Sequence, residues 1–123
     1  MNIKTRKDFL KKSKIEYNKI KSISCPAFGC ERIFFNRQGF NHLIRKGSIL
    51  RNTQEQKVRI SLIMPAVGIL TTSNNFVGYR ETKTPYSSAK FWLFEGIDKK
   101  RTICVVIRQI NEGNKIFFSV FKK

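Results

Sequence analysis

Between residues 4 and 21 the apolar side chains Phe9, Leu10, Tyr17 and Ile20 fall on one side of a helical projection, and Lys4, Lys7, Lys11, Lys14 and Lys21 crowd the remainder. The spacing predicts a helix whose polar side is broken only by Ile15. Whether this basic segment, residues 1–22, docks on the rest of the chain or stands off it as an arm is left open by the pattern. After a loop from Cys25 to Cys30 that carries Pro26 and Gly29, Arg32 to Phe35 predicts a short strand. Gln38 to Lys46 predicts a short helix closed by Gly47, and Thr53 with Gln56 predicts a capping box that opens another. Along that helix Ile60, Ile63, Met64, Val67 and Leu70 form one stripe, with Pro65 obliged to kink it or to start a new helix. The same stretch also alternates as Val58, Ile60, Leu62 and Met64, the spacing of a strand; the helical reading is adopted.

From Phe76 the period shortens to two. Strands are predicted at Phe76 to Thr82, Ala89 to Ile97, Arg101 to Ile110 and Lys115 to Lys122. The unbroken apolar run Ile103 to Ile107 marks the third as central and buried on both faces. Asn111, Glu112, Gly113 and Asn114 make the turn into the last strand. A regular hairpin there sets Val106 opposite Ser119 and Arg108 opposite Phe117, so that Arg108 and Ser119 become diagonal neighbours on one face, roughly 7 Å apart. N-terminal helices followed by a meander imply an α+β fold, with the helices on one face of a small antiparallel sheet of about four strands. A chain of 123 residues is the size of one domain and buries a core without staples.

Charge sharpens this picture. Lys and Arg number 25 against 8 acidic residues, a net charge of +17, and such self-repulsion is offset most directly by a polyanion. Each phosphate neutralised by a cation releases counterions, so nucleic acid is the expected partner. The segment Met1 to Ser22 has no apolar stretch of the signal-peptide kind, and no run is long enough to cross a bilayer. With three cysteines besides, a cytoplasmic chain with reduced thiols and no membrane partner is expected.

Candidate chemistry centres on the single histidine. At 100° per residue Phe40, Leu43 and Ile44 share one face of the predicted helix, and His42 points away from it among Gln38, Arg45 and Lys46. Neighbouring cations attract a phosphate and disfavour the imidazolium, leaving a ring able to accept a proton near neutral pH, although a lone histidine is equally an ordinary surface residue. Arg108, in an apolar strand, needs a partner or a ligand: Glu81 or Glu95 in a structural role, or a phosphate held with Ser119 in a functional one. Arg51, Arg59, Tyr79 and Arg80 are further nucleic-acid contacts, Tyr79 by stacking on a base. Phe91, Trp92 and Phe94 read as core. Cys25, Cys30, Cys104 and His42 make a countable zinc set, but without a second close-spaced pair no metal or other cofactor is expected.

The run from Phe35 through Asn36, Arg37, Gln38, Gly39, Phe40, Asn41, His42, Leu43, Ile44, Arg45 to Lys46, the later Tyr79-Arg80 pair, Val106 to Ile110 and Phe117 to Phe121 together resemble the phage and mobile-element branch of the barnase, EndoU, colicin and RelE-like ribonuclease superfamily. The likeness spans residues 32 to 122. It implies a metal-independent endoribonuclease of the same fold, with His42, Arg45, Arg108 and Ser119 as catalytic residues; Lys46, Arg51, Arg59, Tyr79 and Arg80 are expected beside them as contacts to the RNA. It also implies a toxin restrained by an acidic inhibitor or antitoxin protein. The lack of a second histidine sets the chain apart from two-histidine nucleases. The competing expectation, which rests on charge alone, is a non-catalytic module that binds RNA or a nucleoprotein, such as an RNA chaperone, a ribosome-associated factor or a phage inhibitor.

Overall fold

A computed structural model describes residues 2–123. In chain order it has helix α1 (Ile3–Asn18), strand β1 (Ser22–Cys25), a 3₁₀ turn (Pro26–Phe28), β2 (Glu31–Phe34), helix α2 (Arg37–Ile44), the short strands β3 (Arg45–Lys46) and β4 (Ile49–Leu50), helices α3 (Thr53–Ser61) and α4 (Ile63–Thr72), and strands β5 (Gly78–Lys83), β6 (Ser88–Asp98), β7 (Arg101–Ile110) and β8 (Lys115–Lys122). One six-stranded sheet runs in the order β1-β2-β8-β7-β6-β5, and β3 pairs with β4 in a separate hairpin. The class is α+β, as expected. The sheet is larger than the four-stranded antiparallel one expected, and it is mixed. Strand β2 joins β8 in parallel at Ile33 and Phe34, a long-range pairing that no local pattern announces.

Strand β7 lies between β6 and β8, and Ile103, Val105 and Ile107 on it are fully buried. Phe94, Phe117 and Val120 join them on the face that α4 covers with Ile63, Ala66, Ile69 and Leu70. Each of the larger side chains, Ala66 apart, contributes about 1.5–3 kcal/mol by leaving water. Gly96 of β6 is required for this contact, because any Cβ there would stand 2.5 Å from Ile69. Helix α1 is docked. Tyr17 is buried against Phe35, Phe40 and Phe117 and donates its hydroxyl to the Asn36 carbonyl at 2.7 Å. At its other end Arg6 donates to the Gln56 side chain and to the Arg51 carbonyl.

Several local expectations change. Helix α2 ends at Ile44, and Arg45 is already extended at φ −132°. Gly47, at φ +64°, therefore turns the β3–β4 hairpin instead of closing the helix. Asn52, not Thr53, caps α3, accepting from the Glu55 amide, and Gln56 serves elsewhere: its amide donates to the Ile44 carbonyl. The helical stripe breaks at Leu62 (φ −91°, ψ −2°), and Pro65 sits in the first turn of a new helix, where a missing N–H costs little. That break rotates α4 relative to α3, leaving Met64 65% exposed while Ala66 and Ile69 take the buried face. Among the described residues, no helix is long and apolar enough to cross a membrane.

Candidate nucleic-acid interface and active site

Strand β2 pairs with only the first two residues of β8, and beyond them α2 lies beside β8. The approach is very close: a Cβ on Gly39 would overlap the Phe117 carbonyl oxygen and stand 2.7 Å from the Tyr17 hydroxyl. Asn36 caps the helix by accepting from the Gly39 amide at 3.3 Å. With Gly39, Phe40 and Leu43 buried, His42 is carried to the other side, over β8.

What it meets there is Phe118. The pairing of β7 with β8 slips by one residue: Val106 faces Ser119, but Ile107 faces Phe117 and Arg108 faces Ile116, leaving Phe118 without a partner. This β-bulge corrects the regular register, in which Arg108 faced Phe117. A bulge re-aims side chains. Here it lets Phe117 enter the core while Phe118 and Ser119 both line the open cleft. The His42 ring stacks on Phe118 at 4.3 Å between centroids and 27° between planes, the Arg108 guanidinium lies 4.4 Å from the same ring, and Phe91 meets it edge-on at 5.9 Å. His42 and Arg108, remote in sequence, thus share one aromatic platform.

Two adjoining clefts meet at His42 and Phe118. The larger, about 470 Å³, is lined by Arg51, Arg59, Tyr79, Arg80, Phe91, Val106 and Ser119 among others. The smaller, about 330 Å³, is lined by Gln38, Asn41, Arg45 and Arg108. No Asp or Glu lines either one. Of the candidate residues, only Lys46 lies outside both linings, on the adjacent hairpin.

The arginines differ in how they are held. Glu55 accepts from Arg51 at 2.8 Å and from Arg59 at 3.3 Å, one carboxylate against two cations. Arg51 is buried and also donates to the His42 carbonyl at 3.2 Å, which ties α2 to α3. Arg59 reaches across to β8 and donates to Ser119 Oγ at 3.2 Å and to the Val120 carbonyl at 3.4 Å. Ser119 therefore pairs with Arg59, not with Arg108. Arg108 donates to the neutral Gln38 side chain at 2.6 Å, and its Nε is buried without a partner. Glu81 and Glu95 take Lys83 and Lys123 instead, so no carboxylate neutralises Arg108 there. An arginine held half-buried by an amide oxygen and a ring face keeps its charge available to an anion.

These cations act on His42. Burial first, and then Arg51, Arg59 and Arg108, hold its imidazole below the ordinary 6.5. At neutral pH the ring is uncharged and can accept a proton. A phosphate at the junction of the clefts would meet fixed guanidinium donors, a serine hydroxyl and a neutral base on one side of the sheet.

Sequence reasoning missed three members of this site. Phe118 escaped because the bulge that exposes it is invisible in β8 alone. Phe91 read as core with Trp92 and Phe94, yet only those two are buried; Phe91 is half-exposed in the cleft wall, and Tyr79 packs towards Trp92 at 5.6 Å. Gln38, the partner of Arg108, lies 70 residues away from it. Cys25, Cys30, Cys104 and His42 do not gather, and among the described residues no three His, Cys, Asp or Glu side chains are placed to hold a metal ion. Comparison with family models, characterised proteins and solved structures returns no match for the chain.

Proposed function

We propose that the chain is a metal-independent endoribonuclease. The observation that carries this is the shared platform: His42 and Arg108 both lie on Phe118, in clefts lined by arginines and no acids, with Ser119 alongside. Neutral His42 takes the proton of a ribose 2′-hydroxyl, and the 2′-oxygen bonds to the adjacent phosphorus. The bond to the 5′-oxygen of the next nucleotide breaks, that oxygen takes a proton from solvent, and the products are a 2′,3′-cyclic phosphate and a 5′-hydroxyl. Arg108 and Arg45 stabilise the charge that develops on the phosphoryl oxygens. Ser119 already accepts from Arg59, so its own hydroxyl hydrogen is free to donate to a non-bridging oxygen.

The same reading carries the barnase, EndoU, colicin and RelE-like likeness. A histidine on a helix, basic residues and a hydroxyl of a late strand are the parts that family implies, and an acidic inhibitor that covers the arginine-lined clefts belongs to the proposal. The experiment is incubation of the purified protein with several RNAs in EDTA. We expect fragments ending in cyclic phosphate, and His42→Ala slower by about 10²–10⁴-fold. RNA bound but left intact, or cleaved equally well by His42→Ala, would replace this proposal with that of a binding module without chemistry.

A further inference from the structure

The larger cleft offers more than a phosphate requires. Besides His42, Arg51, Arg59, Tyr79, Arg80 and Ser119, its wall carries an apolar stretch that includes Phe91, Leu93, Val106 and Phe121. Phe91 stands edge-on to Phe118, and its face is covered by the guanidinium of Arg80 at 5.2 Å. Arg80 is exposed, on the edge strand β5, directly opposite Phe91 in the ladder. A planar ring inserted between the two needs a spacing of ~7 Å, two contact layers at ~3.5 Å each. An exposed arginine opens by the remaining ~2 Å through rotamer changes alone.

We infer that Phe91 and Arg80 form a nucleobase subsite, in which an unpaired base slides between the phenyl ring and the guanidinium next to the His42–Arg108 phosphate site. Stacking on an aromatic face with a cation on the other side suits any base and needs no hydrogen-bond readout. A base already stacked and paired in a duplex cannot enter, so this subsite selects a single strand. The inference takes its ligand from the ribonuclease reading and adds to it the residues that hold the base.

The probe is a short 2′-O-methyl oligoribonucleotide, which offers no 2′-hydroxyl to attack. Affinity is measured by fluorescence anisotropy for the parent strand and for a set of strands that each lack one base. With the wild-type protein, loss of the base at one position weakens binding ~10-fold, the size of one base–aromatic stack, and loss at other positions matters less. That position-specific loss disappears in Phe91→Ala, shrinks in Arg80→Ala and persists in Phe91→Trp. An equal response at every position, or a wild-type profile retained in Phe91→Ala, would overturn the subsite. If Phe91→Ala does not fold, the exposed Arg80→Ala decides the matter, with an unchanged profile counting against the subsite. Failure of an unmodified strand to be cleaved bears on the nuclease reading and leaves this binding profile as it stands.

Discussion

His42 is the only histidine in the chain, so one imidazole resonance reports on it without ambiguity. Burial and the three nearby arginines disfavour its protonated form, which places the titration midpoint below 6.5. Removing one cation relieves part of that pressure: in Arg108→Met the midpoint moves up, and the acidic limb of any cleavage rate moves with it. Titration by NMR of the wild type and the variant measures both shifts, and a midpoint at or above 6.5 that ignores Arg108 would contradict the charge coupling described. The sign for stability follows. In the window between the depressed folded value and 6.5 the unfolded chain binds more protons, so the stability contributed by a neutral His42 is present above 6.5 and is lost as pH falls through that window. Denaturant midpoints that fall with pH in the wild type, and fall less in His42→Gln, are the expected outcome.

Among the elements, the seat of α2 on β8 decides whether a site exists. Gly39 sets that distance, since an alanine methyl would run into the Phe117 carbonyl oxygen and the Tyr17 hydroxyl. Gly39→Ala is expected to cost about 1–3 kcal/mol, as overpacking does, and to lift His42 from the Phe118 ring. A lowered thermal midpoint together with a loss of the ring-current shift on the His42 resonance would show both effects; a variant with unchanged melting and shift would mean that the close approach is not required. What was legible in the sequence divides along the same line. The bounds of β7 and β8 follow from alternation and turn residues, and the outward aim of His42 follows from 100° steps, because both are local properties. The slip between Val106 and Ile107, the parallel join of β2 to β8 and the bond from Arg108 to Gln38 depend on what lies across the ladder or across the molecule. Residues whose roles hang on those features, Phe118 first among them, are unreadable from one strand. The Asn52 cap was missed for a smaller reason, since it lies one residue before the equally suitable Thr53, whereas the new helix that Pro65 called for is present and starts at Ile63.

For the molecule as a whole, a net charge of +17 pulls in two directions. The compact state repels itself, and the same cations attract a polyanion. Added salt screens both over a distance of ~10 Å at 0.1 M, so it raises the thermal midpoint while weakening RNA binding. The slope of log affinity against log salt reports how many phosphates are met. If the contacts are those of the clefts, with Arg45 and Arg108 on the scissile phosphate, Arg59 on a neighbouring one and Arg80 on a base, two phosphates are met and the slope for a single strand is about −1.4. Lys7, Lys11 and Lys14 on α1 are exposed and line neither cleft. Replacing them together by glutamine should raise the melting temperature at low salt and leave the slope where it was. A slope that flattens in the triple variant would place RNA along α1 and deny the clefts their share of the binding. Anisotropy titrations at several salt concentrations, alongside melting curves in the same buffers, separate a site built around His42 from a surface that is merely cationic.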